Sequence, residues 1–166
     1  MRKKINNTLI RSFKPCYDPS EINADDKELL SVKKWILKYR DIVKNKHDIL
    51  WLICREELMT DKDLRLFAVW CARETFKITV ADERSIEVCN VAERYANGLA
   101  SDEELENVRL VALKANLSAA WSAVKPSARA VANSAALSVI SEYRISKLTI
   151  EEARNKQIEQ LLTYFK

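Results

Sequence analysis

The chain has one glycine, three prolines and one histidine in 166 residues. A single glycine cannot build GxGxxG or GxxxxGK[ST], whose several glycines let backbone wrap a phosphate. It also leaves little room for tight hairpins, so helix is expected through most of the chain. The sole histidine, His47, stands in KNKHDIL just before an apolar run and reads as a surface or capping residue. Neither a His-based triad nor a multi-His metal site is expected. Cys16, Cys54, Cys71 and Cys89 form no CxxC pair; three lie in apolar helical context and read as small buried hydrophobes in a reducing compartment. The start, MRKKINNTLIRSF, lacks the apolar core of a secretory signal, and no run approaches the ~18–20 apolar residues that span a bilayer. A cytoplasmic protein without membrane contact is the expectation.

Apolar residues make up 48% of the chain and charged ones 31%, ordinary values for a globular protein. Its length suits one helical domain over residues 1–166, with 1–23 as an irregular lead-in where Pro15 and Pro19 disfavour helix. The net charge of +4 falls short of a dedicated nucleic-acid binder, and nucleic acid is not an expected partner. Residues 1–60 hold 13 of the 28 Lys/Arg and 9 of the 24 Asp/Glu, so the whole excess lies there. Between Asn107 and Ser141 there is no acid and four bases, Arg109, Lys114, Lys125 and Arg129, which read as a solvated face.

Periodicity predicts an all-α bundle of five to seven helices with an alanine-rich C-terminal half. The helix over Asp61–Phe76 is apolar almost all round and should be central: Leu64, Phe67, Ala68, Cys71 and Thr75 share one face, and Leu66, Val69 and Trp70 lie on others. Thr60 caps it, with Asp63 as the capping-box acceptor. A helix from Ala24 to Tyr39 with Asn23 as cap is expected, open to a break near Ser31, and a compact one from Asp48 to Glu57. KITV after Phe76 reads as a connection, since a lone strand has no partner. Asp82 caps a helix to about Ala96 that shows two apolar faces, one carrying Arg84, Val88, Val91, Ala92 and Tyr95 and the other Ile86, Cys89 and Glu93. On such a face Arg84 needs an acidic partner, most simply across an interhelical salt bridge. Asn97-Gly98 marks a left-handed helix end, and Ser101 with Glu104 a capping box. The next helix runs from Asp102 to about Lys125 and breaks at Pro126; Thr149 and Glu152 offer a box for the last one.

No residue emerges as catalytic, cofactor-binding or metal-ligating, and no cofactor is expected. The carboxylates Glu56, Glu57, Glu74, Glu83, Glu87 and Glu93 read as helical surface charge, with a carboxylate-only metal site as the minor alternative. Trp35, Trp51, Trp70 and Trp121 sit mostly in apolar runs, so packing explains them better than base stacking.

The run ICREELMTDKDLRLFAVWCARE, then DERSIEVCNVAERYANGLASDEEL and an alanine-rich stretch with AAW, resembles the small all-helical immunity proteins of bacterial toxin systems, also found in phages. The likeness covers roughly Cys54 to Trp121. It implies a protein that neutralises a protein effector by stoichiometric binding. An inhibitor of a bacterial defence nuclease, anti-CRISPR-like, is the phage-borne alternative; a small enzyme with a carboxylate metal site is a third reading. Charges along the Asp82–Arg94 helix are the expected contacts, namely Glu83, Arg84, Glu87 and Arg94.

Overall fold

The computed structural model describes residues 4–78, 81–115, 117–125, 127–130, 132, 135–136 and 150–165. The chain is all-α, as its periodicity predicts, apart from one small antiparallel pair: β1, Lys4–Ile5, lies against β2, Leu30–Ser31, with Ile5 opposite Leu30. That pair belongs to an N-terminal arm more ordered than its prolines suggest. Helix α1, Asn7–Ser12, is capped by Asn6, whose side chain accepts from the Leu9 N–H. Pro19 opens a 3-10 turn over Pro19–Glu21 capped by Asp18, the one helical position where a missing N–H costs nothing. Ile5 and Ile10 anchor the arm in the core.

Helix α2 runs only from Val32 to Tyr39, with Ser31 as its cap instead of Asn23. The Asn23 side chain folds locally: it accepts from the Asp25 N–H and donates to the Asp25 carbonyl and to Glu28. Such side-chain bonds compete with helix, and they hold this stretch as a loop. Helix α3, Lys46–Ile53, starts one residue after Asn45 and stops before Cys54, earlier than the expected Glu57. Cys54 leaves helical geometry, and a turn closed by the Met59 N–H on the Arg55 carbonyl leads into α4, Asp61–Phe76.

Helix α4 is central because its two sides feed two clusters. Leu64, Phe67, Ala68 and Cys71 join Trp35, Ile36, Leu50, Ile53, Ile158 and Leu161. Val69 and Ala72 join Val88, Cys89, Ala92, Ala112, Ala120 and Val124. The second cluster is built by α5 (Glu83–Ala96), α6 (Asp102–Lys114) and α7 (Ser118–Ala123); α8, Ile150–Leu162, packs on α3 and α4. The helix expected through Lys125 divides after Lys114, where the Leu117 N–H turns back to the Ala112 carbonyl and Leu117 packs on the second cluster. Ala128, Ala132, Ala135 and Ala136 are buried in the first cluster, so the alanine-rich segment supplies small core contacts. Pro126, Thr149 and the end of KITV lie outside the described residues. Cys54, Cys71 and Cys89 are fully buried free thiols and Cys16 is exposed. Among the described residues no helix is long and apolar enough to cross a membrane.

The turn between α5 and α6 is set by Gly98, at φ +73°. The Leu99 N–H reaches the Arg94 carbonyl (2.8 Å) and the Gly98 N–H the Tyr95 carbonyl (2.9 Å), the paired closure of a Schellman motif. Nothing lies within 4 Å of where a Gly98 Cβ would stand. A substitution here therefore feels backbone strain alone. Gly98→Val is expected to lose roughly 1–2 kcal/mol in urea denaturation and Gly98→Asn much less; equal losses would contradict the left-handed assignment.

Candidate functional site

Three groups of polar side chains stand out from simple packing. The first lies on the α5–α6 hairpin. Asp82 accepts from the Arg84 backbone N–H (2.8 Å) and from its guanidinium at 2.9 and 2.6 Å. The Arg84 side chain and then the backbone N–H hold the Asp82 carboxyl down at about 2. Arg84 is thus exposed and paired within its own helix start, not buried in an interhelical bridge. The interhelical pairs come from neighbouring arginines: Arg73 donates to Glu93 (2.6 Å) from α4 to α5, and Arg94 to Glu104 from α5 to α6. Glu83, Arg84, Glu87 and Arg94 are all exposed. Ile86 is 45% exposed, so α5 has a solvent strip where a second apolar face was expected; its buried side is Ser85, Val88, Cys89, Val91 and Ala92.

On α6 the Ser101–Glu104 capping box forms in both directions, at 3.1 and 2.8 Å. Ala112 is its one fully buried residue, while Leu110, Val111 and Leu113 stay 42%, 41% and 55% exposed. At 100° per residue Leu110 points nearly opposite to Ala112, straight to solvent. Because α5 and α6 run antiparallel through a short turn, Ile86 lies at the same end of the hairpin as these three. Leu110 and Leu113 lie about 60° apart on the outward side of α6, with Val111 on its flank, and contiguous exposed apolar side chains are a mark of interaction surfaces.

The second group lies under the N-terminal arm. The Arg55 guanidinium is 3% exposed and sits 4.0 Å from the Trp51 ring centroid and 4.4 Å from that of Phe13. Its Nε is buried without a hydrogen-bond partner among the described residues, as is the Tyr17 hydroxyl. Burial, and then Asp48, push the Tyr17 pKa up to about 12; burial, and then the charge of Arg129, lower that of Arg55.

The third group is inside the first cluster. Arg154, 6% exposed, donates to the Ala136 carbonyl (3.2 Å) and to Gln157 Oε1 (2.9 Å), and pairs with no carboxylate among the described residues. Gln157, fully buried, donates to the same carbonyl at 3.0 Å. His47 Nδ1 is buried without a partner, and burial followed by the Arg154 charge lowers the imidazole pKa below 6.5. The unfolded chain therefore takes up that proton first, and stability falls as pH drops through about 6.5. Carboxylates held low, such as Asp82 and Glu104, lose their contribution only below about pH 4.5. Denaturation at pH 7.5 and 5.5 should show a loss for the native chain that His47→Gln largely removes; equal losses in both would contradict it.

The burial of three arginines, Arg55, Arg154 and also Arg65, which pairs with Asp61 (2.8 Å) over the Tyr95 ring, was not expected from the sequence. Among the described residues no group of three or more His, Cys, Asp or Glu stands placed to hold a metal ion. Comparisons with protein-family models, with curated proteins and with solved structures found no match to this chain. The likeness to immunity proteins thus rests on the sequence runs that carry it.

Proposed function

We propose that the protein works by binding another protein, a toxin-like effector, and blocking it stoichiometrically without turnover. The observation that supports this most is the solvent face of the α5–α6 hairpin. Leu110, Val111 and Leu113 project outward from α6, and α5 adds the exposed charges Glu83, Arg84, Glu87 and Arg94. An apolar centre supplies affinity once water is excluded, and charges around it steer encounter and fix orientation. The stretch that resembles immunity proteins, roughly Cys54 to Trp121, takes in both helices of this hairpin.

The test takes the products of the genes on either side as candidate effectors, at equal amounts of folded variants. Leu110→Glu should leave stability within about 0.5 kcal/mol, as an exposed position, yet weaken the complex roughly tenfold or more. Glu87→Lys and Arg94→Glu should act mainly on association rate and its salt dependence. Binding that is unchanged in all three folded variants would remove this face from the mechanism.

A further inference from the structure

We propose that Arg55, together with Tyr17 and Arg129, forms a binding site for an oxyanion, the shared chemistry of a phosphoryl or carboxylate group. Arg55 is nine-tenths buried and more, and its side chain donates no hydrogen bond among the described residues. The Trp51 and Phe13 rings lie 4.0 and 4.4 Å from the guanidinium carbon, contacts that engage its π system and leave its N–H groups as the part that can bind an anion. A buried guanidinium without a counter-ion is expensive unless something supplies the charge. The nearby charges do not do so. Arg129 repels it, and Glu57, the carboxylate in electrostatic range, accepts no hydrogen bond from it. Tyr17 adds a second buried polar atom without a partner in the electrostatic neighbourhood of Arg55, and Asp48, in range of that hydroxyl, does not accept from it either.

The backbone supports the same location. Lys14, next to Phe13, adopts φ +54°, a left-handed conformation that costs a non-glycine residue free energy. Such strain is kept where surrounding structure requires it, often at ligand sites. Lys14 and Tyr17 also line an open groove of about 500 Å³ with Arg11, Pro15, Cys16 and Asp18, a groove beside the site that Arg55 and Arg129 do not themselves line. A planar guanidinium edge, a phenolic O–H and a second cation suit the lone pairs of one oxyanion, which would accept from Arg55 and Tyr17 together. The site lies under the arm and uses no residue of the α5–α6 face.

Thermal melts and calorimetric titration of the full chain with inorganic phosphate, and separately with acetate, test this against chloride at equal ionic strength. Saturable stabilisation by phosphate, by acetate or by both is expected, and the stronger of the two identifies the group. Tyr17→Phe removes a hydroxyl without a partner among the described residues and Arg129→Gln a partly exposed charge, so both should fold. Each should weaken the apparent Kd roughly tenfold, the effect of losing one hydrogen bond to a charged group. No saturable effect beyond chloride, or a saturable effect unchanged in both variants, would overturn the site.

Discussion

Replacing Phe67 by alanine is expected to cost about 3–5 kcal/mol of folding stability. Phe67 is fully buried on the inner side of α4 and stacks near-parallel on Trp70, with ring centroids 6.2 Å apart. It sits among side chains from α2, α3 and α8, so no single element can move in to fill the space. The lost area and the residual cavity both count, and neither is recovered by collapse of one neighbour. Urea denaturation measures the loss. A value below about 1 kcal/mol would mean that α4 is not the shared wall of the core.

The second large effect is expected at Gln157. Its Oε1 accepts one of the two hydrogen bonds that Arg154 makes to described residues, and its amide shares the Ala136 carbonyl. Gln157→Leu leaves a buried guanidinium with a single carbonyl, and about 3 kcal/mol should be lost. Arg154→Met behaves differently. It removes a buried charge that has no carboxylate partner among the described residues, while Gln157 keeps its bond to Ala136, so the change should stay within about 1 kcal/mol. The contrast between the two variants is the prediction. If Arg154→Met were the costlier of the pair, the arginine would be held by more than these two contacts.

Much of this could be read from residue spacing. The centrality of α4 follows from apolar residues on nearly all its faces, and the α5–α6 turn from Gly98 and the Ser101–Glu104 box. These are local signals, carried by side chains that bond within a few residues. The arm was harder because Asn6, Asp18 and Asn23 are common loop residues, and whether they cap or turn depends on Ile5 and Ile10 finding the core. Arg84 was misplaced on an apolar face since a two-residue pair with its own cap looks no different in sequence from a helical stripe. The signal for Arg154 was present: Arg154, Gln157, Ile158 and Leu161 share the i, i+3, i+4, i+7 spacing of a buried stripe. Arg55 carries no such mark, because its burial depends on Phe13, brought over it by a distant segment. The outward direction of Leu110 likewise depends on which side of α6 meets α5 and α7, a tertiary choice that the unbroken apolar run Leu110–Leu113 does not declare.

Titrating a candidate effector, the product of an adjacent gene, with the purified protein and following that candidate's activity is the most direct test of the proposed binding mechanism. Binding predicts a linear fall in activity to a break at one equivalent, with complex formation breaking at the same point and Leu110→Glu shifting both together. Loss of effector activity at a small fraction of an equivalent, growing with time and abolished by a single carboxylate variant that still binds, would contradict stoichiometric neutralisation and show turnover instead.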